Sequence, residues 1–248
     1  METFLIAASK RDELGELIGF YKSGETDTLP VPGYFSVRDA LANQSLMTVR
    51  AADGTLVAVA GYFEYAKSRD EQGGSSNAWI IYELAGTRVR NAIGRLAPIP
   101  LQQILLSLRI IQVAGTEQGP LTLISSAKSL ASIGNLQAVG LEPINPLPNW
   151  FEYNTDSWIG MTDRAAWKHF AATAKTLGNA LSTLASVGFG GGTHVCDASQ
   201  KRPDGTIISR PIRLVYDMKG VVGLFPQMIV AHRLGKWTNP FIPLPASA

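Results

Sequence analysis

The sequence predicts an α+β fold in which strands and helices alternate over residues 1–155. Short apolar runs bounded by turn residues are typical of buried strands, and apolar residues at spacings of three and four are typical of amphipathic helices. Asp53-Gly54 between two strand-like runs indicates a hairpin, because both residues tolerate positive φ. Residues 156–248 predict a helix plus strand-like segments, which we interpret as a C-terminal extension of unknown role.

The composition indicates a folded protein with a large core. Of 248 residues, 46% are hydrophobic and 17% are charged, whereas disordered chains combine low hydrophobicity with high net charge. The 22 Lys and Arg nearly balance the 20 Asp and Glu, so the net charge of +2 provides no basic surface for nucleic acid. Cys196 is the single cysteine, which excludes internal disulfides and zinc sites built on two or four cysteines.

We expect a cytoplasmic protein that binds neither a membrane nor nucleic acid. The first apolar run, residues 4–8, is too short for the core of a signal peptide. The longest apolar-rich stretch, residues 104–114, is interrupted by Ser107, Arg109 and Gln112, and a spanning helix needs about 20 predominantly apolar residues.

The elements of the first part follow from these patterns in order. The strand-like segments are residues 4–8, 46–50, 55–65, 78–84, 120–125, 141–144 and 150–153. The segments with helical spacing are residues 9–20, 36–43, 101–114 and 130–139. Ser9 is predicted to cap the first helix, and Gly140 to end the last. A polar, glycine-rich loop is predicted over residues 66–77.

In the extension, the alanine-rich residues 163–187 predict one long helix, on which His169 is expected to be a packing residue. A glycine cluster follows at residues 188–192. Strands are predicted over residues 193–196, 212–217 and 221–230.

The order of elements over residues 1–155 resembles the GNAT superfamily of acyl-CoA N-acyltransferases. The resemblance implies a mixed, mostly antiparallel central sheet flanked by helices. It also implies that acetyl-CoA or another acyl-CoA, as co-substrate, lies between the fourth and fifth strands, residues 78–84 and 120–125. The acyl group would pass to an amine of a small molecule or peptide. A homodimer is a further expectation.

In that family the turn after the fourth strand binds the coenzyme A pyrophosphate through backbone N–H groups at a helix N-terminus. The matching residues here are Arg88, Arg90, Asn91, Ala92, Ile93, Gly94 and Arg95. Ala92 replaces the family's central glycine, and Val89 occupies its arginine position. The alternative is a solvated basic turn that joins a strand to a helix.

Glu83 is the single acid in the apolar strand 79–84, and many family members place a carboxylate there as the base that deprotonates the acceptor ammonium. Glu83 is alternatively a solvated acid or the partner of an arginine. Leu136 occupies the position where the family often has the tyrosine that acts as general acid. Tyr153 or Tyr82 would then protonate the leaving thiolate.

Two other functions remain open. One is a non-catalytic GNAT-like protein that binds a ligand or partner. The other is a thiol-dependent enzyme, since His194 and Cys196 would point to the same side of a strand.

Overall fold

The strands that the structure describes, ten in number, form one mixed sheet flanked by helices. The computed structural model describes residues 1–22, 38, 41–42, 46–69, 75–86, 95–96, 101–116, 121–127, 130–145, 167–190, 192–201 and 204–236. The strands are β1 (Glu2–Ala8), β2 (Leu46–Ala51), β3 (Leu56–Arg69), β4 (Ser75–Gly86), β5 (Arg95–Leu96), β6 (Leu121–Ala127), β7 (Leu141–Pro143), β8 (Lys168–Ala172), β9 (Thr193–Lys201) and β10 (Ile207–Asp217). The helices are a 3₁₀ turn (Arg11–Glu13), α1 (Leu14–Lys22), α2 (Leu101–Thr116), α3 (Leu130–Ala138), α4 (Thr176–Ser186) and α5 (Lys219–Arg233).

The sheet has the strand order β5-β9-β10-β1-β2-β3-β4-β6-β8-β7. The pairs β1–β10 and β4–β6 are parallel. The other neighbouring pairs are antiparallel. The predicted mixed, mostly antiparallel sheet flanked by helices is therefore confirmed.

Helix α2 lies at the centre of the core, against β3 and β4 on one side and α4 and α5 on the other. Residues 104–111 are all buried, so this helix has no solvated face along that stretch. That environment explains why apolar residues occur on all sides of this helix, with Ser107 and Arg109 buried among them. The buried Arg109 donates from Nη1 to Gln112 Oε1 at 2.6 Å. Among the described residues, the helices are too short or too polar to cross a bilayer.

The predicted hairpin is confirmed as β2 and β3, which pair antiparallel across the Asp53-Gly54 turn. Gly54 has φ of 87°, in the left-handed region that favours glycine. The Thr55 backbone N–H donates to Asp53 Oδ1 at 2.9 Å. The loop predicted over residues 66–77 is shorter than expected, since β3 runs to Arg69 and β4 begins at Ser75.

The long helix predicted over residues 163–187 is wrong. Within that range, Lys168–Ala172 form β8 between β6 and β7, and α4 is confined to Thr176–Ser186. The last three residues of β8 are buried one after another, so the strand lacks the alternation that identifies strands in a sequence. The alanines favour a helix only weakly, and pairing on both sides of β8 overrides that preference.

The strand predicted over residues 221–230 is also wrong, because these residues lie in α5. Val221, Phe225 and Met228 are its buried residues, at spacings of four and three. The expected cap at Ser9 is wrong too. The buried Ser9 hydroxyl has no hydrogen-bond partner among the described residues, and the backbone N–H of Lys10 donates to the Glu13 carboxylate instead. The predicted strand 150–153 lies outside the described residues.

Residues beyond 155 contribute strands to the same sheet. β8 lies between β6 and β7, and β10 pairs with β1 over six residues from Glu2 to Ala7. The division of the chain at residue 155 stays a prediction.

Arg50 on β2 joins helix α1 to the hairpin turn. Its guanidinium donates to the Glu16 carboxylate through both terminal nitrogens, to Glu13 Oε1 at 3.2 Å, and to the Gly54 carbonyl at 2.9 Å. The hydrogen bonds from Arg50 lower the pKa of Glu16, against the opposing effect of burial. The folded state therefore favours the Glu16 carboxylate.

We expect Arg50→Met to lower the free energy of unfolding by about 1 kcal/mol at pH 7, since the Glu16 side chain is partly solvated. Because the folded pKa of Glu16 is depressed, the stabilisation is present above its ordinary value of 4.5 and is lost as the pH falls through the folded value. Urea denaturation at pH 7 and pH 3 measures this difference. Arg210→Met is the control, since Arg210 pairs with Glu2 at an exposed position. An equal effect of both substitutions at pH 7 would contradict the prediction.

Candidate active site

The parallel pairing of β4 with β6 stops before either strand ends. The ladder runs from Asn77–Leu121 to Ile81–Ser125. Beyond it, β4 continues to Gly86 and β6 to Ala127, with no further pairs between them among the described residues. Among the described residues, the last residues of β4 therefore have no strand partner on their β6 side, which leaves an opening in the ladder.

A β-bulge lies in β4 at the start of this opening. Tyr82 pairs with Gly61 and Ala85 pairs with Val59, so two residues of β4, Glu83 and Leu84, lie opposite one residue of β3. A bulge leaves the extra residue outside the regular ladder and is frequent beside active sites. The backbone of Glu83 thus lies at the opening, where the regular strand alternation ends.

Ser126 is the first residue of β6 beyond the ladder with β4. It lies opposite His169 of β8, and the two side chains form a hydrogen bond between Ser126 Oγ and His169 Nδ1 at 2.8 Å. Burial lowers the pKa of His169 to about 4. The imidazole is consequently neutral at physiological pH.

The sequence pattern did not predict this pair, because it indicates a helix at His169. Residues 167–172 combine four apolar residues with Lys168 and His169, a short pattern that a strand explains as well as a helix does. Only the pairing of β6 with β8 brings Ser126 opposite His169.

The structure describes the backbone of two of the predicted site residues. Glu83 lies in the β4 bulge. Arg95 lies in β5 and pairs with Ser199 of β9, at the edge of the sheet and six places from β4 in the strand order. The remaining predicted residues fall outside the described part of the chain, namely Arg88, Arg90, Asn91, Ala92, Ile93, Gly94 and Tyr153.

The structure disfavours a thiolate nucleophile at Cys196. His194 and Cys196 lie on the less exposed side of β9, because the alternate residues Val195 and Asp197 are exposed. However, burial and the neighbouring Asp197 both raise the pKa of the Cys196 thiol. A raised pKa keeps the sulfur protonated and unreactive near neutral pH.

Comparisons with known proteins give matches among solved structures alone. No protein-family model matches the chain, and no curated protein does. An arylalkylamine N-acetyltransferase-like protein from mosquito has 13% identity and a TM-score of 0.45, over 68% of this chain and 98% of the other. A protein from Mycobacterium tuberculosis in complex with CoA has 8% identity and a TM-score of 0.45, over 68% and 98%. A ribosomal-protein-alanine N-acetyltransferase from Brucella melitensis has 18% identity and a TM-score of 0.42, over 67% and 96%.

The order and pairing of the strands and helices of this chain identify the fold. Strand, helix, hairpin, strand, helix, strand, helix and strand follow one another from β1 to β7, with the short β5 added before α2. This is the predicted order apart from the second helix, residues 36–43, of which the structure describes only residues 38, 41 and 42, all helical. They build a mixed sheet with helices on it, and the fourth and sixth strands are parallel neighbours that separate at one end. The chain has a GNAT-like fold.

Proposed function

We propose that this chain is an acyl-CoA-dependent N-acyltransferase that moves an acetyl or other acyl group to an amine of a small molecule or peptide. The observation that carries this proposal is the opening between β4 and β6 beside the bulge at Glu83. Backbone groups of β4 that have no partner on β6, together with Glu83 in the adjacent bulge, would supply the groups that aminolysis of a thioester requires.

The backbone at the opening suits a thioester. N–H groups of β4 that lack a strand partner can donate to the carbonyl oxygen of the thioester and stabilise the negative charge that develops on it. β4 also leads directly into the segment that contains Arg88 and Arg90. Two guanidinium groups there would bind the phosphates of coenzyme A.

Glu83 is the proposed base. An acceptor amine arrives as an ammonium ion and becomes a nucleophile only after losing a proton. A carboxylate in the bulge would take that proton, directly or through one water. Tyr153 remains the proposed donor of the proton to the leaving thiolate.

Thermal denaturation with acetyl-CoA, a longer acyl-CoA and free CoA tests the proposal. A ligand present at 100 times its Kd stabilises the native state by about 2.7 kcal/mol, which in a chain of this size is a rise in Tm of about 5–10 °C. We expect Arg88→Met with Arg90→Met to reduce the rise. Arg95→Met is the comparison, since its strand lies at the far edge of the sheet. No rise with any of the three ligands would refute acyl-CoA binding.

A non-catalytic GNAT-like binding protein is the second candidate. Leu136, at the position where the family often has a tyrosine, is buried in the core, so α3 presents no hydroxyl there. Such a protein would show the rise in Tm without release of CoA in the presence of amines. The cytoplasmic location and the homodimer stay predictions.

A further inference from the structure

Helix α5 carries apolar residues on its solvent side as well as on its core side. The helix packs against α2 and α4, and its three buried residues share one face. On the opposite face, Pro226, Val230 and Leu234 follow one another at spacings of four and are exposed, Val230 to 56% and Leu234 to 59%. We call these three residues the outer stripe. A surface helix normally carries polar residues there, so the outer stripe is suited to an apolar partner.

A second copy of the chain fits the outer stripe poorly. From Pro226 to Leu234 the stripe is about 12 Å long and one helix diameter, about 10 Å, wide. Stable interfaces bury about 800 Å² on each partner, which is several times that area. Lys219 and Arg233 are exposed near the two ends of α5. In an antiparallel pair of these helices, Lys219 of each copy would approach Arg233 of the other, and like charges repel.

The turn that ends α5 returns the chain toward the outer stripe. Gly235 has φ of 63°. Its N–H donates to the His232 carbonyl at 3.1 Å, and the N–H of Lys236 donates to the Ala231 carbonyl at 3.0 Å. These two bonds form a Schellman motif, in which the residue after the glycine commonly contacts a residue of the last helical turn. In α5 that residue is Lys236, and the positions available to it include Val230 of the outer stripe.

Residues 237–248, with the sequence WTNPFIPLPASA, follow directly after this turn and lie outside the described residues. They contain no charged residue, and four of them are large and apolar, namely Trp237, Phe241, Ile242 and Leu244. Their three prolines disfavour a helix and favour an extended chain, which advances about 3.1 Å per residue. About four extended residues therefore match the length of the outer stripe.

We propose that residues 237–248 dock on the outer stripe of α5 and cover Pro226, Val230 and Leu234 with their apolar side chains. The observation that carries this inference is an exposed apolar helix face to which the helix's own terminal turn returns the chain. Docking removes apolar surface on both sides from water. The inference does not depend on the proposed function.

Digestion of the full chain with chymotrypsin tests the inference, because this protease cleaves after Trp237 and Phe241. A docked segment is cleaved only when it opens, so the rate reports the open population. We expect slow cleavage at both sites in the wild-type protein and a rate about tenfold higher or more in Val230→Lys. A lysine near the C-terminus of a helix is compatible with the helix dipole, so α5 should stay intact. Ile207→Lys, at a position on β10 that is 69% exposed, is the control and should leave the rate unchanged.

Substitutions in the segment itself test the other side of the contact. Phe241→Ser with Ile242→Ser should raise cleavage after Trp237 as Val230→Lys does. Combining them with Val230→Lys should add nothing, because each removes the same contact. Equal rates in the wild-type protein and Val230→Lys, whether fast or slow, overturn the inference, and so do additive increases. Light scattering that shows a dimer dissociated by Val230→Lys, with cleavage unchanged, would make the outer stripe an interface between copies instead.

Discussion

Glu83→Gln is expected to lower kcat/KM for amine acylation by about 10²–10⁴-fold, the range for loss of a general base. The amide keeps the size of the carboxyl group but cannot accept the ammonium proton. Acyl-CoA binding uses backbone groups and arginines, so the rise in Tm with acyl-CoA should be unchanged. Initial rates with a panel of amines and the ligand-dependent Tm measure the two effects separately.

Glu142→Gln is the matched control for this substitution. Glu142 lies on β7, exposed to solvent and two strands from β6. It should retain full activity. A loss of less than tenfold in kcat/KM would show that another group deprotonates the acceptor. Loss of the rise in Tm with acyl-CoA would show that Glu83 takes part in acyl-CoA binding.

Gly140→Ala is expected to lower the free energy of unfolding by about 2–4 kcal/mol, from a strained backbone and a steric clash together. Gly140 ends α3 with φ of 85°. A Cβ there would lie 2.8 Å from Asn179 Nδ2 and 3.2 Å from the Thr176 Cα. The Gly140 carbonyl also accepts from the hydroxyls of Thr173, at 3.0 Å, and Thr176, at 2.8 Å. Any shift of this residue would therefore disturb the start of α4.

Gly134→Ala is the control within the same helix. Nothing lies within 4 Å of a Cβ at Gly134, so alanine should stabilise α3 by up to about 1 kcal/mol through its helix propensity. Urea denaturation of both variants gives the comparison. Equal midpoints for Gly140→Ala and the wild-type protein would show that α3 and α4 can separate without loss of stability.

The sequence predicts best those elements whose signals are local. Asp53-Gly54 specifies its hairpin, and Gly140 ends its helix as expected. The predictions for β8 and α5 were wrong, because the secondary structure of these segments depends on the elements that pack against them. A short stretch of sequence does not contain that information. Glu83 was found as a lone acid in an apolar strand. The Ser126–His169 pair was not found, because the register between β6 and β8 depends on the fold of the whole sheet.

The parallel pairing of β1 with β10 has a consequence for how the chain is made. β1 is synthesised before β10, and its partner in the register Glu2–Ile212 to Ala7–Asp217 follows about 200 residues later. Until then one side of β1 exposes a row of unpaired N–H and C=O groups, which is a template for aggregation. β6 and β7 likewise lack β8 between them until residue 172 has emerged. A nascent or truncated chain that stops near residue 155 therefore carries unprotected strand edges at two places in its sheet.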